Sequence, residues 1–142
     1  MSPSRPMQDR ISDEFESIER EMGLNEHLHT LRETRPWDEI ELRAVASTLH
    51  TIYTGIERCL LIVLRSTTGA VPTGKNWHRD VLNQASERGI ITAQLAAKLE
   101  GHLAFRHMYR HSYGFTLDAE LMLPLVESLP EIVDEAKSQL TN

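Results

Sequence analysis

The chain is short of thiols, of aromatics and of long apolar runs, and each shortage excludes something. Its 142 residues hold one cysteine, Cys59, so an internal disulfide is impossible. That thiol stands in the apolar run Cys59–Leu64, which predicts a buried, inert group rather than a nucleophile. The same run is the longest apolar stretch and is far too short to cross a bilayer. Met1-Ser2-Pro3-Ser4-Arg5-Pro6 has no apolar segment behind it of the kind a signal peptide needs, so no membrane partner and a cytoplasmic location are expected. Positive charge is scarce as well: a net charge of −6 excludes a general nucleic-acid coat. A zinc signature is missing, because His107 and His111 at i, i+4, even with His102 nearby, have no second thiol or carboxylate pattern to complete a ligand set, and no metal is expected.

What remains is ordinary helical material. Hydrophobic residues make up 40% and charged residues 25%, with Leu, Ala, Glu and Arg prominent, which predicts an all-α, up-and-down bundle of about five helices. Residues 1–6, with two prolines, two serines and nothing apolar to dock, are expected to be disordered, and 7–142 to form a single domain. Met7, Ile11, Phe15, Ile18 and Met22 make the stripe of a first helix; Gly23 weakens it, Asn25 can restart it as an N-cap, and Pro36 ends it. A second helix is expected from about Asp38 to Ser66, with Val45, Leu49, Ile52, Ile56, Cys59, Leu60 and Val63 on its buried face. At about 43 Å it exceeds what one side of a small domain needs, and a homodimer is the economical explanation. Gly69, Pro72 and Gly74 mark a loop; Asn76 can cap a short helix from Trp77 to Arg88, closed by Gly89. Thr92 can cap a fourth helix carrying Leu95, Ala96, Leu99 and Leu103, and a last helical region over 117–140 is expected to kink or split at Pro124 and Pro130, with Ser128 restarting it.

One window stands out. Residues 105–115 hold two of fifteen Lys/Arg, two of seven His and four of eight aromatics, and residues 60–115 carry a net charge of +4 in a chain of −6. Arg106 projects within about 20° of Leu99, in the middle of an apolar stripe, where a guanidinium needs either an acidic partner or a wet cleft. On a regular helix Arg106 and His111 would lie about 140° apart, so acting on one phosphate requires the helix to end or distort near His111. Ser112 and Gly114 are consistent with an end there.

Arg106, His111 and Tyr113 read Arg-x4-His-x-Tyr, and with Ile52-Tyr53-Thr54-Gly55-Ile56-Glu57-Arg58 and Pro72-Thr73-Gly74-Lys75-Asn76-Trp77-His78 upstream the chain resembles the HepT-type ribonuclease toxins of HEPN fold over about residues 40–140. The resemblance implies a metal-independent endoribonuclease toxin of a type II toxin–antitoxin system, needing no cofactor. It implies RNA as substrate, a minimal nucleotidyltransferase as antitoxin, and two copies of the motif meeting across a homodimer cleft. Arg106 and His111 are then catalytic: a histidine near neutral pKa moves protons while the 2′-hydroxyl attacks phosphorus, and an arginine fork stabilises the crowded phosphate. Tyr113 falls where that antitoxin attaches AMP.

Several roles stay open at this stage. Arg110 and His107, with Lys98 and His102, are candidates to receive RNA phosphates or are solvated helix residues. Glu57 either orients Arg106 from a neighbouring helix or is a solvated charge. Tyr113 can equally be a core or interface aromatic, and Arg106 and His111 a structural pair and a helix-end histidine. The alternative function is a non-catalytic helical module that binds a nucleotidyltransferase or a nucleotide.

Overall fold

The computed structural model describes residues 5–111 and 117–141, and these residues form five helices: α1 (Arg5–Thr34), α2 (Glu39–Thr68), α3 (Trp77–Glu87), α4 (Ala93–His111) and α5 (Ala119–Leu140). The all-α bundle expected from composition is what forms. α2 is its axis, packing against each of the other four helices. The stripe read from the sequence explains why, since Val45, Leu49, Ile52, Ile56, Cys59, Leu60 and Val63 are all buried, and Ala46, Tyr53 and Leu64 widen that stripe into a nearly continuous apolar surface. Burial pushes the Cys59 thiol up to about 12, which leaves it protonated and inert. None of the helices is long and apolar enough to cross a membrane.

The entry into α2 is fixed by short-range chemistry. Asp38 caps the helix by accepting from the Glu41 amide, and Glu41 accepts in return from the Asp38 amide, forming a capping box. The Arg35 fork bonds both Glu41 oxygens at 2.6 and 2.7 Å and, with the Asp38 amide, holds that carboxyl near 2. Trp37 is buried beside it and donates from Nε1 to the Leu28 carbonyl at 2.7 Å, pinning the α1–α2 turn to the core. Farther along, a Cβ at Gly55 would lie 2.8 Å from Ile18 Cγ1, so glycine is what allows α1 to press this closely on α2.

Three local expectations are corrected. The helix begins at Arg5 rather than after residue 6, because proline is at home in a first helical turn, where no N–H is needed. α1 then runs unbroken through Gly23, and Asn25 is not a cap: its side chain is buried and its Nδ2 donates to the Val126 carbonyl of α5 at 3.3 Å. α5 likewise contains both Pro124 and Pro130 without a break, and Ser128 restarts nothing but donates to the Leu125 carbonyl at 2.9 Å.

The second and third corrections share a cause. Pro130 has no N–H to give the carbonyl four residues earlier, that of Val126, and Asn25 supplies the missing donor from another helix. Asn25→Ala is therefore expected to cost about 1–3 kcal/mol in urea unfolding, the penalty of a buried unpaired carbonyl, and Pro130→Ala, which restores the intrahelical donor, should shrink that cost. Equal costs in both backgrounds would contradict the account.

Candidate functional site

Where α2 faces α3 and α4, its apolar surface gives way to His50, Tyr53 and Glu57, spaced i, i+3, i+7 on one side of the helix. α4 answers with Arg106, Tyr109 and Arg110, and α3 with His78 and Arg79. Thr92 starts α4 as expected, accepting the Leu95 amide at 3.1 Å, and the buried Leu95, Leu99, Leu103 and Phe105 then carry Arg106 inward on the same face. Arg106 is half-buried, with Nε enclosed and unbonded. Among the described residues neither Arg106 nor Arg110 forms an ion pair. Of the two outcomes foreseen for a guanidinium on this stripe, the acidic partner is absent among the described residues, and Arg106 is left partly open to solvent.

The His50 ring lies 5.3 Å from that of Tyr109, which in turn stacks on Phe105 at 6.0 Å. Burial lowers the His50 pKa, and the charges of Arg106 and Arg110 lower it further, which favours the neutral imidazole. Below it the Tyr53 hydroxyl is buried without a partner; burial, then the Glu57 carboxylate, raises its pKa, while Arg106 and Arg79 pull the other way.

Glu57 does not orient Arg106. It is buried, and its Oε2 accepts from His78 Nδ1 at 2.8 Å, joining the start of α3 to the middle of α2. The His78 ring packs on Trp77 at 3.5 Å, and Arg79 reaches Glu100 of α4 at 3.6 Å. Trp77 and His78 thus anchor the preceding loop through Glu57, which is neither a solvated charge nor a partner of Arg106.

Two of the wider phosphate candidates are occupied. Lys98 is held by Glu131 and Glu135 of α5 at 2.6 and 2.5 Å. His102 is buried, with Nε2 bonded to Ser128 Oγ at 3.0 Å, and burial pushes its pKa down to about 4. Between pH about 6.5 and about 4 the unfolded chain binds a proton at this position that the folded chain refuses, so stability should fall as pH falls through that window. His102→Gln is expected to lose about 1 kcal/mol less than the parent between about pH 7.5 and about pH 5.5, measured by urea unfolding. Parallel losses would show that His102 is not the titrating group.

α4 is regular as far as His111, its last residue, and the residues that follow, 112–116, lie outside the described ones. His107 and His111 are exposed, their rings 4.6 Å apart, on a different side of α4 from Arg106. Within one chain Arg106 and His111 therefore diverge, by the angle that five residues of regular helix impose. Tyr113 lies outside the described residues. Sequence reading missed His50; its signal was the i, i+3, i+7 register with Tyr53 and Glu57, three polar-bearing residues on one side of α2.

The described residues form a five-helix all-α bundle in which Arg106 and Arg110 of α4 stand without an ion pair near His50 of α2. A family model described as HepT-like protein matches residues 44–142, and the chain belongs to that HEPN-fold family. The match begins within α2, so α1 lies outside it. No curated protein and no solved structure gives a significant match. The family suggests an RNase-like role of HEPN type, in a protein typically paired with a nucleotidyltransferase.

Proposed function

We propose that the protein is a metal-independent endoribonuclease, the toxin of a type II toxin–antitoxin pair, acting on RNA as a homodimer with no cofactor. The observation that carries this reading is the pair Arg106 and Arg110, two cations without an ion pair among the described residues, near a histidine whose pKa they lower, in a protein of net charge −6. Like charges held together without an acid favour a bound anion, and a phosphodiester meets the planar fork of Arg106 with two acceptor oxygens.

The reaction needs little else. The 2′-oxygen bonds to phosphorus and gives its proton to one histidine; the bond from phosphorus to the 5′-oxygen breaks, and that oxygen takes a proton from another. Arg106 stabilises the charge gathered on the equatorial oxygens. His111 is the proton carrier, and a second copy of the chain supplies both the second His111 and the approach of one chain's His111 to the other's Arg106. Arg110 and His107 contact flanking phosphates, while Glu57 acts only through His78.

Incubation with RNA in EDTA tests this: cleavage leaving 2′,3′-cyclic phosphate ends is expected. An absolute requirement for a divalent ion would overturn the mechanism, and no cleavage under any condition would favour a non-catalytic binding module. Sedimentation at micromolar concentration should give twice 16.2 kDa; a monomer alone would contradict the shared cleft.

A further inference from the structure

Five buried polar atoms lack a partner on α2 and α4, and three of them, His50 Nε2, the Tyr53 hydroxyl and Arg106 Nε, belong to side chains linked by the charge of Arg106. Unpaired polar atoms in a protein interior are rare and costly, so three on one wall call for a physical reason. Their chemistry is complementary. The guanidinium Nε–H can only donate, a phenol both accepts and donates, and a neutral imidazole offers one nitrogen that only accepts. Tyr53 and His50 stand three residues apart on the same face of α2, and Arg106 acts electrostatically on both from α4.

We propose that Tyr53 and His50 are positioning residues for Arg106: its Nε–H donates to the Tyr53 hydroxyl, which donates in turn to His50 Nε2, aiming the terminal guanidinium N–H groups at an RNA phosphodiester. The assignment rests on the ribonuclease reading above. It adds the α2 wall to the site and gives each orphaned atom one matched partner. The three atoms stand outside hydrogen-bond distance of one another in the single chain, and side-chain rotation closes the relay as the guanidinium swings onto its anion. Such a relay makes the arginine rigid at the moment it meets phosphate, the condition under which a fixed charge stabilises a reacting centre.

Affinity for a non-cleavable 2′-O-methyl oligoribonucleotide tests it, together with thermal unfolding. Tyr53→Phe removes one oxygen and keeps the ring in the core, so the melting temperature should change little while binding weakens about tenfold, the size of one hydrogen bond to a charged group. In an Arg106→Ala background the same change should add nothing, because the relay then has no donor. His50→Ala should weaken binding similarly, and His50→Gln, which retains an acceptor, should recover part of it. Parental binding by Tyr53→Phe, or additive losses with Arg106→Ala, would overturn the proposal. If the parent neither binds nor cleaves RNA, the ribonuclease reading fails instead. The relay is then judged by the Arg106 Nε–H NMR resonance in saturating inorganic phosphate, which Tyr53→Phe must move for the proposal to stand.

Discussion

Arg106→Ala and His111→Ala are each expected to slow RNA cleavage in EDTA by about 10²–10⁴-fold, the usual loss when a positioned proton-transfer or charge-stabilising group is removed. The two variants should fail differently. Arg106 is half-buried and unpaired, so its loss removes charge from the phosphate and weakens RNA binding as well as turnover. His111 is exposed at the end of α4, its ring 4.6 Å from that of His107, so its removal should leave folding and binding close to those of the parent while turnover falls. Initial rates on a short RNA across a range of concentrations separate the two effects. Parental turnover by His111→Ala would remove the mechanism, whatever becomes of the fold.

The second large effect concerns control. A partner nucleotidyltransferase, with ATP and Mg²⁺, is expected to attach one or more AMP units to Tyr113 and abolish cleavage. Tyr113 follows His111 by two residues, and each AMP brings a phosphodiester charge. Arg106 and Arg110, without an ion pair among the described residues, would hold that phosphate as readily as one from RNA, so modification acts by occupying the site as well as by bulk. Intact-mass analysis reads the increment. Its absence, or modification and silencing of Tyr113→Phe like the parent, would sink this mode of regulation.

The parts of this fold that could be read from the chain were those decided by neighbouring residues. The α2 stripe, the Thr92 cap and the stop before Pro36 depend on spacing and on chemistry within a turn or two, and all three stand in the structure. The continuity of α1 and α5 did not show, because it depends on Asn25 meeting the Val126 carbonyl 101 residues away. Taken locally, Gly23 and Pro130 argue for breaks; together with that long-range bond and the burial of Leu28, Leu129 and Ile132, they do not.

The site divides in the same way. Arg106 on the inward face of α4 follows from its register with Leu99, a local matter. The partner of Glu57 does not, because His78 is 21 residues distant on α3, and the two helices meet only through the tertiary fold. His50 was passed over because a lone histidine on a long helix looks unremarkable until the guanidiniums of α4 are set beside it.

The central claim is that Arg106 of one chain works with His111 of another, since in a single chain the two leave α4 on different sides. Mixing Arg106→Ala protomers with His111→Ala protomers under exchange conditions tests this most directly. A heterodimer of the two retains one Arg106–His111 pair across the interface but one histidine in place of two, so a statistical mixture should recover RNA cleavage in EDTA well above either preparation and no more than about a quarter of the parental rate. A mixture that stays as inactive as its components, with subunit exchange verified by mass, would place both groups in the same chain and contradict the account.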